Sequence, residues 1–258
     1  MVGRLDGEVA IVTGSTSGLG AAIARLFAEQ GAATVVTGRS ADRGETIARE
    51  IAESGGRCAF VPADLGDGDQ RGALVHTAVD LFGPVSVLVN NAVSPSAIAA
   101  DGPVADIDDA VWEEMLRVNL IGVGAMCRLV LPAMVEAGCG AIVNVSSRAA
   151  ERGSRGLAAY TASKGGMNAL TRSITADYAP LGVRCNTVQP GYILNDARDH
   201  GDERLLERFR GMHLTRLPTA RDVAYAALFL ASAEAEVISG VTLQVDGGSS
   251  SARGLTLG

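Results

Sequence analysis

Short unbroken apolar runs alternate along this chain with stretches whose apolar positions recur every three to four residues. The runs at 8–13, 32–37, 58–62, 85–89, 141–145, 183–188 and 241–245 are rich in Val and Ile and lack polar alternation, which predicts strands buried on both faces. The periodic stretches at 19–30, 42–54, 67–82, 109–136, 160–179 and 221–232 predict helices between them. Such alternation, with right-handed crossovers, implies an α/β fold: a doubly wound parallel sheet of about seven strands with helices on both faces. No linker, repeat or low-complexity segment divides residues 1–258, so a single domain is expected. The rhythm breaks over 191–218, which is long, charged and helical in pattern only near 203–211. A long irregular insertion of this kind reads as a functional lid, here at about 192–218.

Composition supports a packed core, with 47% hydrophobic and 20% charged residues. A net charge of −7 argues against nucleic acid as a partner. No apolar run approaches the ~18 residues of a membrane span. Asp6 and Glu8 stand where a secretory leader needs apolar residues, so a cytoplasmic location is expected. Cys58, Cys127, Cys139 and Cys185 form no C-x-x-C pair and lie in or beside apolar stretches. They read as reduced core residues, and no metal site is expected.

The turn from the first strand to the first helix reads Thr13-Gly14-Ser15-Thr16-Ser17-Gly18-Leu19-Gly20. Glycines there permit positive φ and close backbone approach, and the helix start offers free N–H groups to a pyrophosphate. The spacing is G-x-x-x-G-x-G, not G-x-G-x-x-G, and by itself it also suits a plain turn and helix cap. The second strand ends at Arg39-Ser40, with no carboxylate before Asp42. A ribose 2′-hydroxyl calls for Asp or Glu at this place, whereas a 2′-phosphate calls for Arg. The forked donor of Arg39 and the hydroxyl of Ser40 therefore favour NADP(H), with NAD(H) as the alternative.

Tyr160 and Lys164 stand four residues apart, on one helical face. A neighbouring cation favours the phenolate, which predicts a lowered tyrosine pKa and a general acid/base near neutrality. All but one of the 22 basic residues are Arg, and the exception is Lys164. In a chain that otherwise uses only Arg, that position demands a compact ammonium rather than a planar guanidinium.

Together these residues resemble the short-chain dehydrogenase/reductase family across essentially the whole chain. The matching elements are the Thr13–Gly20 turn, Asp64 after the third strand, Asn90-Asn91-Ala92 after the fourth and Asn119 in the long helix. They continue with Ser146-Ser147 after the fifth strand, Tyr160-x-x-x-Lys164, and Pro190-Gly191 after the sixth. The resemblance implies a Rossmann-like fold and hydride transfer between a nicotinamide dinucleotide and a ketone or secondary alcohol. It implies that Tyr160 exchanges the proton, that Ser147 hydrogen-bonds the same substrate oxygen, and that Lys164 holds the nicotinamide ribose and lowers the tyrosine pKa. Asn119 would help hold a water linking Lys164 to solvent. Gly14, Ser15, Thr16, Ser17, Gly18, Leu19 and Gly20 would form the cofactor turn, with Asp64 and Leu65 at the adenine. Asn91 and Ala92 would lie at the ribose, and Pro190, Gly191 and Ile193 along the nicotinamide. Two positions depart from the family pattern: Val93 replaces a glycine, and Asn195 replaces a threonine near the carboxamide.

The substrate wall is expected from 93–104, 148–157 and the lid. Arg148, Arg152 and Arg155 either meet an anionic substrate or stand as solvated loop charges. Ile121, Val123, Met126, Met167, Leu170 and Ile174 spread over more than one helix face, and the resemblance implies a homodimer or homotetramer built on those helices. A serine hydrolase is disfavoured, because no G-x-S-x-G elbow is present and His76, His200 and His213 belong to no motif. The remaining alternative is a dinucleotide sensor without turnover, which has no need for the Asn119, Ser147, Tyr160 and Lys164 set. Lys164→Arg keeps the charge but not the compact group, and it is expected to abolish ketone reduction in a spectrophotometric assay; near-normal turnover would undo the inference from the lone lysine.

Overall fold

The computed structural model describes residues 3–193 and 203–251. Seven parallel strands form one sheet in the order β3-β2-β1-β4-β5-β6-β7. They are β1 Val9–Val12, β2 Ala33–Gly38, β3 Cys58–Pro62, β4 Val87–Asn90, β5 Gly140–Val145, β6 Val183–Pro190 and β7 Thr242–Val245. The helices are α1 Gly18–Glu29, α2 Ala41–Glu53, α3 Gly68–Phe82, α4 Pro95–Ala99, α5 Asp109–Leu116, α6 Gly122–Ala137, α7 Ala158–Tyr178, α8 Glu203–Arg210 and α9 Ala220–Ala231. Every strand and helix expected from the pattern is present, and α4 is an addition.

Successive strand residues face opposite layers, because the side-chain period of a strand is two. Ala10 and Val12 join α1, α2 and α9 in one apolar layer. Val9 and Ile11 join α3, α6 and α7 in the other. The strand order reverses between β1 and β4, and the crevice beyond their carboxyl ends is where open α/β sheets bind ligands.

The long helix expected over 109–136 is one continuous run with a π-helical turn at Arg117–Ile121 between α5 and α6. That turn carries Asn119, and single π turns of this kind cluster at functional sites. By length and composition, the stretch Asp109–Ala137 is apolar enough to cross a membrane, contrary to the sequence expectation that no segment would be. Here its apolar residues pack on the sheet, among them Met126, Val130 and Met134.

Two further expectations are corrected. Cys127 and Cys185 are buried and Cys58 is half-buried, but Cys139 is exposed, because it follows the left-handed Gly138 that ends α6. Burial pushes the Cys58 thiol up to about 11 and that of Cys127 up to about 12. Of the apolar residues assigned to a subunit interface, Val123, Met126, Met167 and Ile174 are consumed by the chain's own core. Ile121 remains 61% exposed.

The carboxyl end of α9 is held by a side chain of β6. Arg184 donates to the carbonyls of Leu230 (2.6 Å), Ala231 (3.3 Å) and Ser232 (3.2 Å), where the helix dipole favours a cation. Arg184→Met is expected to lower unfolding stability by about 2 kcal/mol, because three carbonyls lose a charged partner; urea denaturation measures it, and an unchanged midpoint would contradict the role.

Candidate functional site

The glycine turn is fastened from both sides. Thr13 Oγ1 donates to Val89 O and accepts from Asn91 N and Ala92 N, while Asn91 Nδ2 donates to Thr13 O and Gly14 O at 2.9 and 3.1 Å. On the other side Ser15 Oγ donates to Val12 O and accepts from Thr37 N. Gly14 has φ +64°, and a Cβ added there would lie 2.7 Å from Ala92 Cα. A Cβ on Gly20 would lie 2.4 Å from Gly14 O, so only glycine lets α1 start this close to the turn. Ser17 precedes α1 without a side-chain cap, leaving helix-start N–H groups for a ligand.

A cavity of about 860 Å³ runs from this turn along the carboxyl ends of the strands. Its wall contains Gly14, Thr16, Ser17, Gly18, Leu19, Gly20, Arg39, Ser40, Asp64, Leu65, Asn91, Ala92, Ser147, Tyr160, Lys164, Pro190, Gly191 and Ile193. Two residues assigned to the site lie behind the wall. Ser15 is fully buried beneath the turn, where its hydroxyl joins β1 to β2 instead of facing the cavity. Asn119 is fully buried in the π turn, accepting from Ser94 N at 3.1 Å and donating to Ser163 Oγ at 3.3 Å. Asn195 lies outside the described residues.

At the far end of the cavity, Ser147 and Tyr160 share a side-chain hydrogen bond. Ser147 leads the short turn after β5, where its Oγ also accepts from Ala149 N. Lys164 is buried one helical turn beyond Tyr160, its Nζ donating to Val145 O at 2.7 Å and lying 5.9 Å from the centre of the Tyr160 ring. Burial drives the Lys164 pKa down to about 7. Burial also raises the phenol of Tyr160, and its bond with Ser147 pulls the other way. The expected lowering of the phenol by Lys164 is therefore absent: the same desolvation that isolates the pair disfavours both charged forms.

The sequence reading missed two charged residues of the wall. Arg43 stands four positions after Arg39, in the first turn of α2, and lines the cavity with it. That spacing was available to find it. Glu114 lines the opposite side and accepts from Ser94 Oγ at 3.0 Å. Arg148 and Arg152 are partly buried and reach the turn after β7: Arg148 donates to Ser249 Oγ at 3.1 Å and Arg152 to Ser250 O at 2.8 Å. Arg155 is exposed.

The glycine cradle, the uncapped helix start and the crevice at the sheet reversal fit a dinucleotide, and the hydroxyl pair at the cavity's other end suits carbonyl–alcohol chemistry. Fold and site define a dinucleotide-dependent oxidoreductase. A family model described as Enoyl-(Acyl carrier protein) reductase matches residues 14–250. The chain is 40% identical to cis-4-hydroxycyclohexanecarboxylate dehydrogenase of Sinomonas cyclohexanicum over 245 residues, covering 93% of this chain and 96% of the relative. It is 33% identical to the 3-oxoacyl-(acyl-carrier-protein) reductase of Thermotoga maritima over 250 residues, covering 95% and 98%. A gluconate 5-dehydrogenase from Burkholderia cenocepacia, solved in complex with NADP and tartrate, superposes with a TM-score of 0.88 at 32% identity, over 97% of this chain and 98% of that one. The chain belongs to the short-chain dehydrogenase/reductase family and is an NAD(P)-dependent oxidoreductase acting on alcohol and carbonyl groups.

Because the folded pKa of Lys164 lies near 7, against 10.5 for the free group, the unfolded chain binds one more proton between those values. Stability from this group thus rises with pH across that window, by at most about 1.4 kcal/mol per unit. Lys164→Met is expected to flatten the slope in cofactor-free urea unfolding between pH 7.5 and 9; equal slopes in both proteins would refute the buried, low-pKa lysine.

Proposed function

We propose that this protein interconverts a ketone and a secondary alcohol with NADP(H), Tyr160 exchanging the proton. The observation that carries the reading is the convergence of Ser147, Tyr160 and Lys164 at one end of the cavity whose other end is the glycine cradle. When bound, the nicotinamide supplies or accepts the hydride. The residues supply position and protons. Tyr160 donates to the carbonyl oxygen in reduction, and Ser147 holds that oxygen by a hydrogen bond. Lys164, with its pKa brought to about 7, exchanges a proton with the phenol close to neutral pH and holds the ribose hydroxyls. Asn119 acts from behind the wall, in a buried chain with Ser163 that leads toward the main chain of Tyr160.

NADP(H) is favoured by Arg39 and Arg43, which line the cavity where β2 meets α2, while Asp42 between them does not. The NADP of the Burkholderia structure is consistent with this choice. Asp64 and Leu65 then flank the adenine, Asn91 and Ala92 the ribose, and Pro190, Gly191 and Ile193 the nicotinamide. We assign residues 1–258 to one domain, with a substrate lid at about 192–218, of which 194–202 lie outside the described residues. Support comes from Tyr192, which lines the cavity and stacks on Phe209 of α8 at 3.5 Å between ring centres. A small-molecule ketone or alcohol is the substrate, the cytoplasm the location, and a homodimer or homotetramer the assembly, to which Ile121 on the π turn offers an exposed apolar side chain.

Tyr160→Phe is expected to cut ketone reduction at least about 10²-fold, a proton-transfer contribution, while leaving NADPH binding within twofold by nicotinamide fluorescence. In the same titration the wild-type protein binds NADPH tighter than NADH, and Arg39→Ala removes the difference. Retained turnover in Tyr160→Phe, or tighter NADH binding by the wild type, would overturn the corresponding half of the reading.

A further inference from the structure

Helix α7, which carries Tyr160 and Lys164, begins without a cap of its own. Its N-cap residue is Leu157, whose side chain cannot accept a hydrogen bond. Four N–H groups at a helix start need partners, and uncapped ones leave the first turn free to fray. Here the partners come from a segment more than fifty residues earlier in the chain. Asp101 Oδ2 accepts from Tyr160 N at 2.8 Å, and Asp101 Oδ1 accepts from Ala159 N at 3.2 Å and from Gly102 N at 2.9 Å. Gly102 O accepts from Ala158 N at 3.4 Å, and Leu157 O takes Thr161 N.

Both oxygens of one carboxylate are thus spent on the first turn of the catalytic helix, where the dipole also favours a negative charge. Tyr160 is held from its other side as well, since Ser163 Oγ donates to Tyr160 O and itself receives Asn119 Nδ2. Asp101 stands two residues after α4, whose Pro95 and Ile98 line the cavity. Ala97, Met115 and Ala159 form a small buried cluster against which Ile98 and Tyr160 pack. The cavity wall and the proton-exchanging residue are therefore tied by one carboxylate.

We propose that Asp101 is a positioning residue for Tyr160, fixing the phenol against the substrate-facing wall through the backbone of α7. The proposal rests on the reading of Tyr160 as the proton donor. A displacement of about 1 Å at such a group costs on the order of 10²-fold in rate, whereas the glycine turn at the other end of the cavity is fastened to β2 and to Asn91 after β4.

The test compares Asp101→Asn, which retains one acceptor oxygen and the side-chain shape, with Asp101→Ala, which retains neither, and with Tyr160→Phe. Turnover in a ketone panel is expressed per NADPH-binding site counted by fluorescence, so that loss of folded protein does not enter. The expected result is a fall in kcat per site of at least about tenfold in Asp101→Ala and a smaller fall in Asp101→Asn. KM for the ketone and Kd for NADPH should change by less than threefold. A kcat per site within threefold of wild type in Asp101→Ala, or a loss carried by KM alone, overturns the proposal while leaving Tyr160 in place if Tyr160→Phe is inactive. An active Tyr160→Phe overturns the proton-donor reading and the proposal with it.

Discussion

The site is organised around an ammonium group that has been taken out of water. Lys164 is 1% exposed, and its Nζ donates to Val145 O. Burial, with no carboxylate partner among the described residues, is what brings its pKa to about 7. An arginine would carry an undiminished charge into the same place and would need room for a planar fork. The lone lysine of an otherwise arginine-using chain is explained by that constraint. The same burial moves the neighbouring Tyr160 phenol the other way, up from its ordinary value, so that both groups are held toward their neutral forms.

The rest of the architecture delivers this pair to one end of a dinucleotide-sized crevice. Parallel strands end together, so the turns after β1, β4, β5 and β6 converge on one edge of the sheet. The Thr13–Asn91 bonds lock the first two of those turns to each other. Asp101 and Asn119 lock α7 to the segment after β4, one by capping its first turn and one through Ser163. Polar residues that face no ligand are thus as much a part of the site as those that do, because buried polar groups must be satisfied and their partners set the geometry. Substrate choice is a separate matter: relatives of this fold are named for acyl, alicyclic and sugar-acid substrates, so the fold does not set it.

Most of the fold was legible because its signals are local. Unbroken Val and Ile runs mark strands covered on both faces, and their alternation with helical periods leaves few topologies. Tyr160, Lys164 and the glycine turn were legible for the same reason, since each is a spacing along a single element. The misreadings share a cause as well. Ser15 was read only as part of the glycine turn, because the β2 main chain that donates to its hydroxyl lies twenty-two residues on. Arg148 and Arg152 looked free because their partners, Ser249 and Ser250, lie about one hundred residues away. The apolar faces of α6 and α7 looked available to a second subunit because the sheet that covers them is assembled from distant strands.

The amino-acid sequence by itself determined the layered α/β plan, the turn that receives a dinucleotide and the tyrosine–lysine pair, because period and spacing act within a few residues. The tertiary structure alone decided what each polar side chain faces. It put Asp101 on the helix that bears Tyr160, sent Ser15 and Asn119 behind the wall, set Arg43 beside Arg39 at the cavity, and reversed the direction in which the phenol is shifted. Those outcomes depend on burial and on partners contributed by remote segments, and neither quantity exists until the chain has folded.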